Sequence, residues 1–279
     1  MQKQLLLTKI VFLLTIFFLS GCRQLDPNYS EPMINGYLYR VEYYDRSIEY
    51  ERYVEVSDNR GLRMVPVVTL NNELLKVLYY SWTKYGYGDT YQFPLDTFYE
   101  LKVTHYWGNA WAKVAMPGNF SLLSPPEGYV LDMESTLVIS WTRSSRAEWY
   151  WVEVDIEYEY RDTLNQEDDL TFGLDTMVFD TFYIIPSSRI FPGFVSDVIE
   201  GDGSVMVWAG CGPAIEPGDR GNVQGVGFGF FNAINEPREK YFYVGAPIVN
   251  HHQNRRGKGK VRLPEKLYQR IILGRTEER

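Results

Sequence analysis

An all-β protein of two β-sandwich domains is what this sequence predicts, on three observations. Aromatic residues make up 16% of the 279-residue chain, with 22 Tyr, 15 Phe and 7 Trp, and with plentiful β-branched residues they suit half-buried pleated surfaces. Apolar and polar residues alternate with a period of two over long stretches, whereas helical spacing is scarce. Turn-forming Asn, Gly and Pro separate the alternating runs at short intervals.

The first element is an exception. Lys3 and Lys9 flank or interrupt the leading apolar residues, so the uncharged run extends only from Ile10 to about Leu19. At about 1.5 Å per residue this is too short to cross a hydrocarbon core of about 30 Å. A positive start, a short apolar centre and a small-residue exit read as a secretory signal peptide, residues 1–21. Its ending, Leu19-Ser20-Gly21-Cys22, resembles the lipobox of bacterial lipoproteins. The resemblance implies cleavage before Cys22, lipid modification of that cysteine and membrane anchoring outside the cytoplasm. In a diderm organism it further implies the outer membrane, because Arg23 is not Asp. Two or more acyl chains give stable anchoring, so Cys22 is a sufficient attachment. Residues 22–35, polar and carrying two prolines after the cysteine, read as its tether.

From Gly36 the alternation begins, and residues 36–118 read as the first sandwich. "MVPVVTLNNELLKVLYY" suggests two strands around Asn71-Asn72, and "TFYELKVTHYWGNAWAKVAMPG" a hairpin around Gly108-Asn109. Residues 119–250 read as the second. Its opening has a proline-rich start, a strand with Leu137, Ile139 and Trp141, a short polar loop, then Tyr150, Val152 and Val154 at alternate positions. This resembles fibronectin type III and immunoglobulin-like modules, which bury a tryptophan between their sheets, at the position of Trp141 here. The pair resembles the tandem immunoglobulin-like domains of bacterial surface lipoproteins, which implies a spacer, adhesin or ligand platform.

Charge divides the chain unevenly. Residues 251–279 carry nine Lys or Arg against three Glu, a net of +6, so the total of −8 leaves −14 for residues 1–250, and −16 without Lys3 and Lys9. An acidic body excludes nucleic acid as a partner of the main domains, since phosphates reward a basic face. In the basic tail, Pro264, Leu263, Leu267, Ile271 and Gly274 suggest a short amphipathic helix. A helix that short needs a surface: the body itself, an anionic membrane or another protein. With Cys22 lipidated, Cys211 has no cysteine partner, so packing rather than disulfides must hold the domains.

No motif for zinc, a nucleophile elbow or a phosphate loop occurs. Cys211 with His105 as base is a conceivable nucleophile, against the reading that Cys211 is a small core residue. Glu153, Asp155 and Glu157, with Glu159, fall at alternate positions along one strand face, and Asp168 and Asp169 follow in the next loop. Such oxygens can collect calcium, or form a solvated face that discourages edge pairing. Gly225, Gly227 and Gly229 alternate with Val226, Phe228 and Phe230, which fits glycines making room for an aromatic neighbour. Tyr79, Tyr80, Trp82, Tyr85, Tyr87 and Tyr91 lie in a loop with polar neighbours and are the strongest ligand-site candidates, since rings with polar tips stack on sugars or make protein contacts.

The sequence thus predicts an anchored, non-catalytic protein that binds or scaffolds at the cell envelope, without a cofactor unless calcium is held, with an envelope protein or glycan as partner. Carbohydrate recognition through residues 79–93 is the alternative, and a hydrolase with an unrecognised carboxylate pair is the third reading. The sequence leaves oligomeric state open.

Overall fold

Burial at every second residue of the longest alternating stretch sets the architecture. In a computed structural model, which describes residues 31–42, 47–90, 92–214, 220–235, 239–246, 265–267 and 269, Tyr150, Val152, Val154, Ile156, Tyr158 and Tyr160 all turn to one core. The lipidation candidate Cys22, Tyr91 and most of the basic tail lie outside the described residues. Pro32–Arg279 forms one unit by its contacts. The protein is all-β: the described residues form 18 strands in three sheets and two short helices. No helix among the described residues is long and apolar enough to cross a membrane.

The strands are β1 (Met33–Glu42), β2 (Ile48–Ser57), β3 (Val67–Leu70), β4 (Glu73–Leu74), β5 (Lys76–Tyr80), β6 (Lys84–Asp89), β7 (Phe98–His105), β8 (Gly108–Ala115) and β9 (Leu122–Ser124). There follow β10 (Val130–Leu131), β11 (Leu137–Trp141), β12 (Trp149–Asp162), β13 (Glu167–Val178), β14 (Phe182–Ile185) and helix α1 (Ser187–Ile190). The chain continues through β15 (Val195–Cys211), β16 (Gln224–Gly225), β17 (Phe231–Asn235), β18 (Lys240–Gly245) and α2 (Glu265–Leu267).

Ten strands share one mixed sheet, in the order β10-β18-β15-β17-β1-β2-β6-β5, with β12 on the other side of β15 and β13 beyond it. One face of this sheet carries two cores. The five-stranded sheet β16-β8-β7-β3-β4 covers the first, around Ile34, Leu38, Val54, Leu101 and Val103. The three-stranded sheet β14-β11-β9 covers the second, in which Trp141 is buried with its ring centre 5.3 Å from that of Tyr150.

The large sheet runs through both halves. β1 pairs in parallel with β17, Gly36 opposite Phe231 and Arg40 opposite Asn235, so strands from either side of Gly118 are neighbours. All five residues of β17 are buried because both its faces are covered. Gly118 itself is tied to this seam: its carbonyl accepts from Asn235 Nδ2 (2.9 Å) and from Ser144 Oγ (2.8 Å).

Two turns test the sequence reading closely. Asn71 and Asn72 both have positive φ, 49° and 67°, the geometry of a two-residue hairpin turn, and join β3 to β4 as expected. The β7–β8 hairpin is present, but it turns at Tyr106-Trp107 rather than at Gly108-Asn109, which already pairs within β8. Trp107 N–H donates to His105 Nδ1 (3.2 Å) and closes the chain early.

Candidate functional site

The expected aromatic loop is a hairpin, β5 and β6 with its tip at Ser81–Thr83, at one margin of the large sheet. Alternation along each strand sends its rings to different places. Tyr80 and Trp82 are each 74% exposed. Tyr79 lies flat over Gly86, where a Cβ would come within 2.2 Å of its ring. Its hydroxyl donates to Glu55 (2.6 Å) and shares a hydrogen bond with Tyr53 (2.6 Å). Tyr85 is half-buried and stacks on Tyr80, with ring centres 5.8 Å apart. Tyr87 must be removed from the candidates: it is fully buried, its hydroxyl donates to the Pro66 carbonyl, and burial pushes its pKa far above the usual tyrosine value.

A second group, not singled out in the sequence, adjoins the hairpin tip. Asp58 is buried, and its carboxylate accepts from Arg60 Nη2 (2.9 Å) and Trp107 Nε1 (3.0 Å). Burial alone would raise the Asp58 pKa, but those bonds outweigh it and hold the group below the usual carboxylate range. The Arg60 guanidinium lies 4.4 Å from the centre of the Trp107 ring, and Arg63 lies 5.3 Å from Tyr106 and 5.2 Å from Trp107. Trp82 packs on Gly61, whose positive φ of 87° and missing Cβ admit the indole. In the sequence these residues are scattered over "DNRGLR", "SWT" and "HYWG", and no spacing rule joins three separate turns.

The acids of β12 lie on the face opposite the two main cores. Glu153 stands opposite Asp175 of β13, Glu157 opposite Asp202 of β15, and Glu159 between Asp169 and Glu200. Asp168 and Asp169 belong to β13 rather than to a loop, and Asp168 pairs with Tyr160, in register with the core-facing positions. Among the described residues no three Asp, Glu, His or Cys side chains are grouped to hold a metal ion. Glu153 is the perturbed member. Burial first, then the charges of Asp155, Asp175 and Glu239, push its pKa up to about 7, with Lys266 opposing.

The described part of the C-terminal helix meets the body here. Leu267 is fully buried with Tyr39, Trp149, Trp151 and Trp208, and Lys266 Nζ lies 2.8 Å from Asp175.

A raised carboxyl pKa means that the folded state keeps a proton the unfolded chain has released. Stability from this group is therefore full below about pH 4.5 and is lost as pH rises towards about 7. Glu153→Gln is expected to leave stability at pH 4 almost unchanged and to raise it at pH 8 by about 1–2 kcal/mol, allowing for solvent screening. Denaturant unfolding across that range measures it, and equal stabilisation at both pH values would refute the assignment.

Cys211 behaves as a core residue. It is buried, accepts from the Ala115 N–H (3.4 Å), and burial pushes its thiol up to about 11, away from a reactive thiolate. His105 does not serve it: Nε2 bonds the Val226 carbonyl (2.7 Å) while Nδ1 accepts from Trp107. Of the three glycines, Gly225 lies in β16 against the Trp111 ring, and Gly227 and Gly229 follow with positive φ outside any long strand.

No protein-family model matches the chain, and a search of curated proteins likewise finds no match.

Proposed function

We propose that this chain is a lipoprotein, anchored through Cys22 outside the cytoplasm, with a non-catalytic binding or scaffolding role at the cell envelope. The observation that carries the recognition part is the exposure of Tyr80 and Trp82, 74% each, on a hairpin whose neighbouring rings are fixed by packing and hydrogen bonds. Large rings offered to solvent on a rigid support bind with little loss of conformational entropy. The two cores support a reading as immunoglobulin-like modules, 36–118 and 119–250, that share one sheet. Shared strands would make them a stiff platform rather than two beads on a string.

Carbohydrate recognition is the second reading, and the tyrosines on the outer face favour it. Tyr53 and Tyr79 share a hydroxyl hydrogen bond (2.6 Å) and Tyr79 donates to Glu55 (2.6 Å), beside a buried Tyr37 that donates to Glu51 (2.7 Å) and lies tilted against Tyr53 with ring centres 5.4 Å apart. Rings edged by fixed carboxylates suit a sugar's apolar face and hydroxyls. The hydrolase reading has only the raised pKa of Glu153, which burial and like charges within the sheet account for.

The detergent-solubilised mature protein, presented to envelope extracts and to a glycan panel, tests both. A partner retained by the native chain should be lost at least tenfold with Tyr80→Ala/Trp82→Ala. No capture from either source would defeat recognition and leave a spacer.

A further inference from the structure

Three turns converge at one end of the large sheet. Strand register puts Met33 opposite Ser57, and Ser57 opposite Lys84, so the loop after β2, the tip of the β5–β6 hairpin and the start of the described chain share that end. The β7–β8 turn joins them through the bond from Trp107 to Asp58. Pro32 is fixed there as well, its carbonyl accepting from the Phe228 N–H at 3.1 Å.

The composition of this end differs from that of the rest of the acidic body. Stretches 57–65, 80–84 and 105–108 contain one acid, Asp58, buried beneath Arg60 and Trp107, and Lys84 is paired with Glu55 of β2 (3.0 Å), so Arg63, exposed beside Tyr106 and Trp107, carries the cationic character of this end. Trp82 projects at the tip, with Tyr106 (51%), Val65 (52%) and Met64 (41%) also exposed. The acidic ladder runs the other way. β12 is antiparallel to β15, which is antiparallel to β17, so Trp149 is its nearer end and Glu157 and Glu159 lie farther out along the strand.

We propose that this end is a membrane-facing surface that rests on anionic phospholipid, with Trp82 and Tyr106 at headgroup depth and Arg60 and Arg63 against lipid phosphates. Tryptophan and tyrosine favour that depth because an apolar ring and a polar tip are both satisfied there. Arginines are drawn to an anionic surface, and Trp107 and Asp58 hold the Arg60 guanidinium in place beforehand. The distance of the β12 acids from this end favours a single orientation, with Arg63 and the exposed rings down and those carboxylates away from the bilayer. The inference rests on the proposed anchor at Cys22, ten residues before Pro32, a reach of at most about 36 Å. The surface would thus orient a body that lipid already holds.

Lipidated full-length protein in vesicles with roughly 30% phosphatidylglycerol, brominated in its acyl chains, tests it, with phosphatidylcholine vesicles as the comparison. The fluorescence component removed by Trp82→Phe is expected to be quenched at least twofold in the anionic vesicles and little in the neutral ones, and Arg63→Glu should abolish the difference. No quenching of that component would overturn the proposal and assign the surface to a protein partner. Equal quenching in both lipids would overturn its electrostatic basis. Palmitate labelling of the same sample reads the anchor separately: label with no quenching defeats this surface alone. Absence of label defeats the anchor, and quenching of chain added to the vesicles then decides the surface by itself.

Discussion

Trp149→Ala is expected to destabilise the protein by about 3–5 kcal/mol, read as a lower denaturant midpoint at unchanged slope. Trp149 is fully buried where β12, β15 and β17 meet, packed with Tyr39, Trp208 and Ile234 on the face opposite the two main cores. It lies directly on Gly210, where a Cβ would come within 2.1 Å of the indole. That glycine makes the site unforgiving, because with the ring gone the backbone beneath has no side chain to fill the space. Its Nε1 donates to the Gly212 carbonyl at 3.0 Å, so the substitution also strips a bond from a tight turn of φ 115°. A loss under about 1 kcal/mol would show that the seam is held elsewhere.

The second large effect concerns attachment. Cys22→Ala should abolish incorporation of a palmitate analogue completely, since the thiol is the acceptor in the proposed modification and Cys211, the other cysteine, is buried with its thiol pushed up to about 11. Label retained by the variant would refute the lipoprotein reading. The same experiment on Cys211→Ser should leave the label intact.

Much of the fold was legible because it follows from neighbouring residues. Alternation in "WYWVEVDIEYEY" marked the two faces of β12, and Asn71-Asn72 marked a turn that needs positive φ twice. Trp141 was legible as a core residue for the same reason, the pattern of its own strand. The candidate site was legible only in part. Composition identified a run of rings but not their directions, which the pairing of β5 with β6 and of β6 with β2 decides: Tyr80 and Tyr85 share a face with Tyr87, which is enclosed while Tyr80 at the sheet margin stays exposed, and Tyr79 is laid across Gly86 on the other face. The group formed by Asp58, Arg60 and Trp107 was not legible at all, because its members lie on different turns and neither their type nor their spacing announces it.

What the sequence determined by itself is therefore local: an all-β chain, the faces of its strands, an acidic body with a basic tail, and the expectation of lipid on Cys22. What only the tertiary structure decided is which strands meet. Arg40 donates to Asn235 across 195 residues, β1 lies parallel to β17, and two cores share a sheet that local pattern would divide at Gly118. The physical reason is that alternation says which face of a strand is buried but is silent on its neighbour, since backbone N–H and C=O groups are the same in every strand and pair wherever the chain brings them together.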